Sequence, residues 1–170
     1  RALVPKMLDQ HKLLARPLGT RRADDAWVTE MADLIYRRTG AEAMDAVAAA
    51  LAEGIDPESI GEAISLASNT LVLCQDRFDK GTQRVHGANP GVHSADAANA
   101  WRNIARVADQ RGAVVGLLLA AYHTGGYSVF QQAPLPHEAA REAIQATNAE
   151  GMLAEAEAAI RDNDQARATA

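Results

Sequence analysis

The residues of this chain whose types could do chemistry gather in the stretch from Arg84 to Ser94, which holds two of the five histidines. His86 and His93 flank a Gly/Asn/Pro turn between two segments of helical periodicity. Loops between rigid helices often carry function, and imidazole can bind a metal or accept a proton near pH 7. We therefore expect a functional site at this turn.

Metal binding is one chemistry that these histidines could support. His86, His93 and His123 could supply nitrogen ligands for a transition metal such as zinc or iron. The sequence has no His-x-x-x-His or Glu-x-x-His pair that would place two ligands one helical turn apart. Purely structural roles for the same histidines are therefore the alternative.

Acid–base or nucleophilic catalysis is the second chemistry. His93 is the better placed of the two turn histidines to act as a general base, with His86 beside it, and Asp96 one turn further along could orient the ring. Cys74 is a candidate nucleophile if its thiol pKa is lowered. Its position inside a helical pattern instead favours a small buried side chain.

Amide side chains mark one face of the helix that follows the turn. Asn99 and Asn103 lie one turn apart, where amides are unfavourable in a helix interior. They could hydrogen-bond to the 84–93 loop or contact a bound cofactor. Tyr127 belongs to an irregular, fairly apolar segment, 124–135, that we expect to fold over the helices or over a pocket mouth.

An all-α fold must position these residues. Apolar residues make up 48% of the chain but aromatic residues only 4%, so Ala, Leu, Ile and Val must build the core, which suits closely packed helices. We expect six to eight helices in a bundle or in stacked helical hairpins. An internal duplication that relates 46–63 to 154–170 would favour the hairpins.

Several helix boundaries can be predicted from capping residues. Asp24 or Asp25 is expected to cap the second helix and Asp56 the fourth. Ser94 is expected to cap one long helix that runs to about Tyr122. The alanine-rich third helix should lie near the middle of the bundle, because its small side chains allow a neighbouring backbone to come close.

Net charge and cysteine content exclude some classes of partner and of covalent cross-link. The net charge of −5 argues against a general nucleic-acid surface, and the single cysteine excludes a disulfide within the chain. The most apolar run, 113–122, is about half the ~20 residues that cross a bilayer, so we expect no membrane span. We expect one helical domain over 1–170, open to continuation past either end, and homo-oligomers. The sequence does not indicate the cellular compartment.

Residues 54–68 resemble a known family. Their sequence, GIDPESIGEAISLAS, is similar to a capped amphipathic helix of the alkylhydroperoxidase D and carboxymuconolactone decarboxylase superfamily. The resemblance implies an all-α, oligomeric fold. The Cys-x-x-Cys of the peroxidase branch is absent, so the resemblance does not imply dithiol peroxidase activity, and Cys74 or His86 would be remnants of a site.

These features lead to two functional predictions. The first is a helical domain that binds a small molecule or a metal around 84–94, with an oxidoreductase or lyase-like activity. The second is a helical-repeat scaffold or oligomeric structural subunit without catalytic activity. The two differ in whether the imidazoles border a sheltered cavity or serve only the fold.

Overall fold

The computed structural model describes residues 3–73, 90–127, 137–168 and 170. The predicted all-α fold is confirmed: the described residues form helices and no strand, and two of the helices are shorter than eight residues. None of the described helices is long and apolar enough to span a bilayer. In chain order the helices are α1 (Leu3–Gln10), α2 (Asp25–Arg37), α3 (Gly40–Ala52), α4 (Pro57–Leu73), α5 (Pro90–Val107), α6 (Gln110–Gly126), α7 (His137–Glu142), α8 (Ala149–Arg161) and α9 (Gln165–Ala168).

The chain divides into two compact units, 1–131 and 132–170. The first unit contains α1 to α6, and its core is aliphatic, as the composition predicted. Helix α3 packs on α6, α4 packs on α2 and α5, and α5 packs on α6. That one domain covers the whole of 1–170 stays a prediction. The largest fully buried side chains of this core include Ile35, Met44, Ile55, Ile60, Ile64, Leu117 and Leu118.

Two of the predicted caps are confirmed. The Asp24 carboxylate accepts a hydrogen bond from the Trp27 backbone N–H at 2.8 Å. The Asp56 carboxylate accepts from the backbone N–H groups of Glu58 and Ser59 at 3.0 and 3.1 Å. Each aspartate thus satisfies donors that the first turn of a helix leaves unpaired.

The predicted cap at Ser94 is wrong. Helix α5 begins at Pro90, and Ser94 is a fully buried residue of its second turn. The long helix predicted to follow is also divided, because Asp109 starts a new one by accepting from the Gly112 N–H at 2.7 Å. The short connection makes α5 and α6 an antiparallel hairpin. The cap at Asp109 therefore divides the predicted helix in two, although its apolar pattern is continuous.

Helices α3 and α6 cross at backbone contact. A Cβ atom on Gly125 would lie 2.7 Å from the Ala43 Cβ, and one on Gly40 would lie 2.5 Å from the Tyr122 carbonyl oxygen. Both distances are shorter than the non-bonded contacts that a Cβ atom makes in folded proteins. The predicted close approach of a neighbouring backbone to α3 is confirmed, but its predicted central place is not, because α3 packs mainly on α6 alone.

The second unit has little buried apolar surface. The Asn148 side chain caps α8 by accepting from the Gly151 N–H at 2.9 Å. The Glu155 carboxylate accepts from the backbone N–H groups of Gln145 and Ala146, which ties the preceding segment to α8. Among the described residues of this unit, only Ala159 is buried.

Candidate functional site

An open surface pocket of about 440 Å³, which we call the cavity, lies on the α5–α6 hairpin of the first unit. Its described lining comes from one turn of α5 and from the last two turns of α6. The lining residues are Trp101, Leu119, Tyr122, His123, Gly126 and Tyr127. The chain has only two tryptophans and three tyrosines, so three of these five aromatic side chains line one cavity.

His123 and Tyr127 form the polar part of this wall. They lie one turn apart at the end of α6, with 3.1 Å between His123 Nε2 and Tyr127 Oη. Their ring centroids are 5.0 Å apart and the rings are tilted by 58°. Burial lowers the pKa of His123, and the nearby His93 lowers it further. His123 is therefore neutral at pH 7, so the Tyr127 hydroxyl can donate to Nε2.

Three buried hydroxyls, which we call the hydroxyl cluster, join the helices behind this wall. They belong to Ser68 of α4, Ser94 of α5 and Thr124 of α6, and all three side chains are at least 99% buried. Their oxygens lie 3.1 to 3.2 Å from one another. Ser68 also donates to the Ile64 carbonyl at 2.9 Å. Every hydroxyl proton thus has an acceptor available, as burial requires.

An ion cluster ties the start of α4 to the second half of α5. The Glu58 carboxylate accepts from the guanidinium groups of both Arg102 and Arg106. These hydrogen bonds lower the pKa of Glu58 to about 2. Gly61 makes room for the arrangement, because a Cβ there would lie 3.1 Å from the Arg102 stem.

The other predicted site residues of α5 lie outside the cavity lining. His93, Asp96, Asn99 and Asn103 are all exposed on this helix. Asn103 donates to the Asn99 side-chain oxygen at 3.3 Å, so the two amides contact each other. Their predicted roles in catalysis and cofactor binding stay predictions. Of the predicted residues, the structure brings His123 and Tyr127 together in the cavity wall.

The structure describes only part of the predicted histidine metal site. Across the residues that the structure describes, no group of three or more His, Cys, Asp or Glu side chains could hold a metal ion. His86, the third predicted ligand, and Cys74, the predicted nucleophile, lie outside the described residues. A zinc or iron site formed with His86 stays a prediction.

Sequence reasoning did not assign Trp101, Leu119 and Tyr122 to a site. Trp101 and Tyr122 follow the apolar periodicity of their helices, which predicts that both side chains face the core. Tyr122 is 43% exposed instead. The signal that could have found the cavity is the scarcity of aromatic residues in the chain, combined with the clustering of two tyrosines and a histidine within 122–127.

Comparison with known proteins leaves the site to be interpreted from its own geometry. The chain matches no protein-family model, no curated protein and no solved structure.

Proposed function

We propose that the first unit binds a small, uncharged aromatic molecule in the α5–α6 cavity. The observation that carries the proposal is the gathering of three of the chain's few aromatic side chains and a neutral histidine around one concave surface. Concave, mostly apolar sites with a few polar groups are typical of small-molecule sites. The volume of about 440 Å³ has room for a one- or two-ring compound.

The chemistry of the wall supports a specific class of ligand. Aromatic rings favour a planar partner through offset stacking or edge-to-face contact, which contributes about 0.5–1.5 kcal/mol beyond buried area. None of the six described lining residues carries a fixed charge at pH 7. His123 and Tyr127 can exchange hydrogen bonds with a hydroxyl or N–H group of the ligand. Phenols and indoles fit these requirements.

Titration of the purified chain with phenol, followed by NMR of its aromatic and methyl signals, tests this proposal. We expect saturable shifts at Trp101, Leu119 and Tyr127 with a Kd on the order of millimolar. Cyclohexanol has the same hydroxyl but no aromatic face, so it should bind about fivefold more weakly. Equal shifts with both compounds, or shifts spread over the whole chain, would contradict an aromatic site.

A matched pair of variants separates the polar contact from general effects on the wall. Tyr127→Phe removes the hydroxyl that contacts His123, and Tyr122→Phe removes a hydroxyl from the same wall without altering that contact. Loss of one hydrogen bond corresponds to about 1 kcal/mol, or about fivefold in Kd. Tyr127→Phe should therefore weaken phenol binding about fivefold, and Tyr122→Phe by less than twofold.

An oxidoreductase or lyase-like activity is a wider form of the same proposal. It is supported by the closeness of His93 to His123. If this activity depends on a metal, His86, His93 and His123 would hold zinc or iron. Metal analysis of the purified chain, with His86→Ala and His93→Ala as variants, tests this form. A stoichiometric metal lost in both variants would support it, and metal-free protein would oppose it.

We propose a homo-oligomeric structural subunit as the second candidate function, and one observation favours it. Helix α8 exposes Met152, Leu153 and Ile160 by 52%, 67% and 68%. Leu153 and Ile160 are two turns apart and share one helix face. Exposed apolar stripes of this kind are typical of association surfaces.

Sedimentation velocity at increasing protein concentration tests the second candidate. Self-association should appear in the natural chain and disappear in Leu153→Glu, whereas Ala154→Glu, which adds the same charge to α8 beside that face, should behave as the natural chain does. A monomer at all concentrations would contradict this candidate without affecting the cavity.

A further inference from the structure

We propose that the hydroxyl cluster of Ser68, Ser94 and Thr124 is the positioning element of the cavity, because it sets the register of α5 against α6 and so places Trp101 opposite the α6 wall. The inference deepens the proposed ligand site and rests on it for its functional meaning. Its structural content, the register, can be tested without any ligand.

Two contacts between α5 and α6 define the register of the hairpin. Near the open end, Ser94 Oγ lies 3.2 Å from Thr124 Oγ1. Seven residues further along α5, the Trp101 ring lies over Gly116, with its Cε3 atom 3.5 Å from the position of a Cβ there. Gly116 is eight residues before Thr124, within one residue of the seven that an antiparallel pair in constant register requires. The hydroxyl contact and the tryptophan contact thus belong to one alignment.

The apolar surface of α6 specifies this alignment weakly. Its buried face consists largely of small and aliphatic side chains, which offer no polar partner that would select one alignment far from the two-residue connection at 108–109. A slip of one turn would move Trp101 about 5.4 Å along α6, away from Leu119 and His123. The connection thus restrains the closed end of the hairpin, and the hydroxyl cluster acts at its open end.

The hydroxyl cluster favours the observed register of α5 and α6 over a slipped one. In the observed register each of its protons has an acceptor within the cluster or at the Ile64 carbonyl. A one-turn slip would place Ser94 and Thr124 against apolar neighbours and leave hydroxyls unpaired in the core, which is costly. Because Ser68 belongs to α4, the cluster also fixes the hairpin to the rest of the unit.

Two readouts test the inference, one of them independent of ligand. The first is the nuclear Overhauser cross-peak between Trp101 ring protons and the Gly116 α-protons, which reports the α5–α6 register. The second is the Kd of phenol. We expect Ser94→Ala/Thr124→Val to weaken the cross-peak or split it into several sets, and to raise the phenol Kd at least about fivefold. Thr124→Ser, which keeps the hydroxyl, should retain both natural values.

A control variant separates positioning from general loss of stability. Val28→Ala removes buried methyl groups from α2, a helix outside the hairpin, and should lower the urea midpoint while leaving the cross-peak and the phenol Kd unchanged. The inference is overturned if Ser94→Ala/Thr124→Val keeps a single natural cross-peak, or if Val28→Ala changes it to the same extent. If the natural chain does not bind phenol, the proposed function fails, but the cross-peak still decides the register.

Discussion

At the scale of single residues, Glu58 is a carboxylate held by two arginines from another helix. Its folded pKa is about 2 against an ordinary value of 4.5. The unfolded chain therefore binds this proton more readily than the folded chain does. The ion cluster contributes its full stability above about pH 4.5, and that contribution disappears as the pH falls through about 2. Because the side chain is 38% exposed, solvent screening reduces the contribution to about 1 kcal/mol.

Urea unfolding of Glu58→Gln at pH 7 and pH 3 checks this prediction. The variant should be about 1 kcal/mol less stable than the natural chain at pH 7, and the difference should shrink at pH 3. Glu30→Gln, which alters an exposed carboxylate of α2, should change the free energy of unfolding by less than about 0.5 kcal/mol. A loss at Glu58 that is independent of pH would show that the carboxylate acts through packing and not through charge.

At the scale of helices, the α3–α6 crossing depends on the absence of a side chain at Gly125. An added methyl group would lie 2.7 Å from the Ala43 Cβ, so the two backbones must separate. Gly125→Ala should therefore lower the free energy of unfolding by about 1–3 kcal/mol. The crossing lies at the end of α6 that carries Tyr122 and His123, so the same change should also weaken phenol binding.

The adjacent glycine is a matched control for the crossing. A Cβ on Gly126 would meet nothing within 4 Å. Gly126→Ala should be neutral or slightly stabilising, because alanine favours helix over glycine. Thermal unfolding of both variants makes the comparison. If Gly125→Ala were as stable as Gly126→Ala, the contact between α3 and α6 would be looser than described.

At the scale of the whole molecule, the two units differ in how much they bury. Helix α6 has nine buried residues, whereas α8 has one, Ala159. Few buried contacts mean that local opening costs little free energy. Amide hydrogens of α8 should therefore exchange at least roughly ten times faster than those of α6 in hydrogen-exchange mass spectrometry.

Protein concentration is the informative variable in that experiment. Slow exchange in α8 at every concentration would contradict the prediction and show that its apolar face is covered within one chain. Protection that rises with concentration in α8 alone would instead support association of copies through Leu153 and Ile160.

The sequence by itself determined the all-α class and the caps at Asp24 and Asp56, because composition and capping chemistry act locally. It also indicated that the small side chains of α3 let a neighbouring backbone come close. It did not reveal that Ser94 is a buried member of a hydroxyl cluster, or that Trp101 borders a cavity. Both facts depend on the register of α5 against α6. Tertiary packing decides that register together with the short connection at 108–109, because neither helix alone defines the face that its partner covers and the buried hydroxyls must find partners.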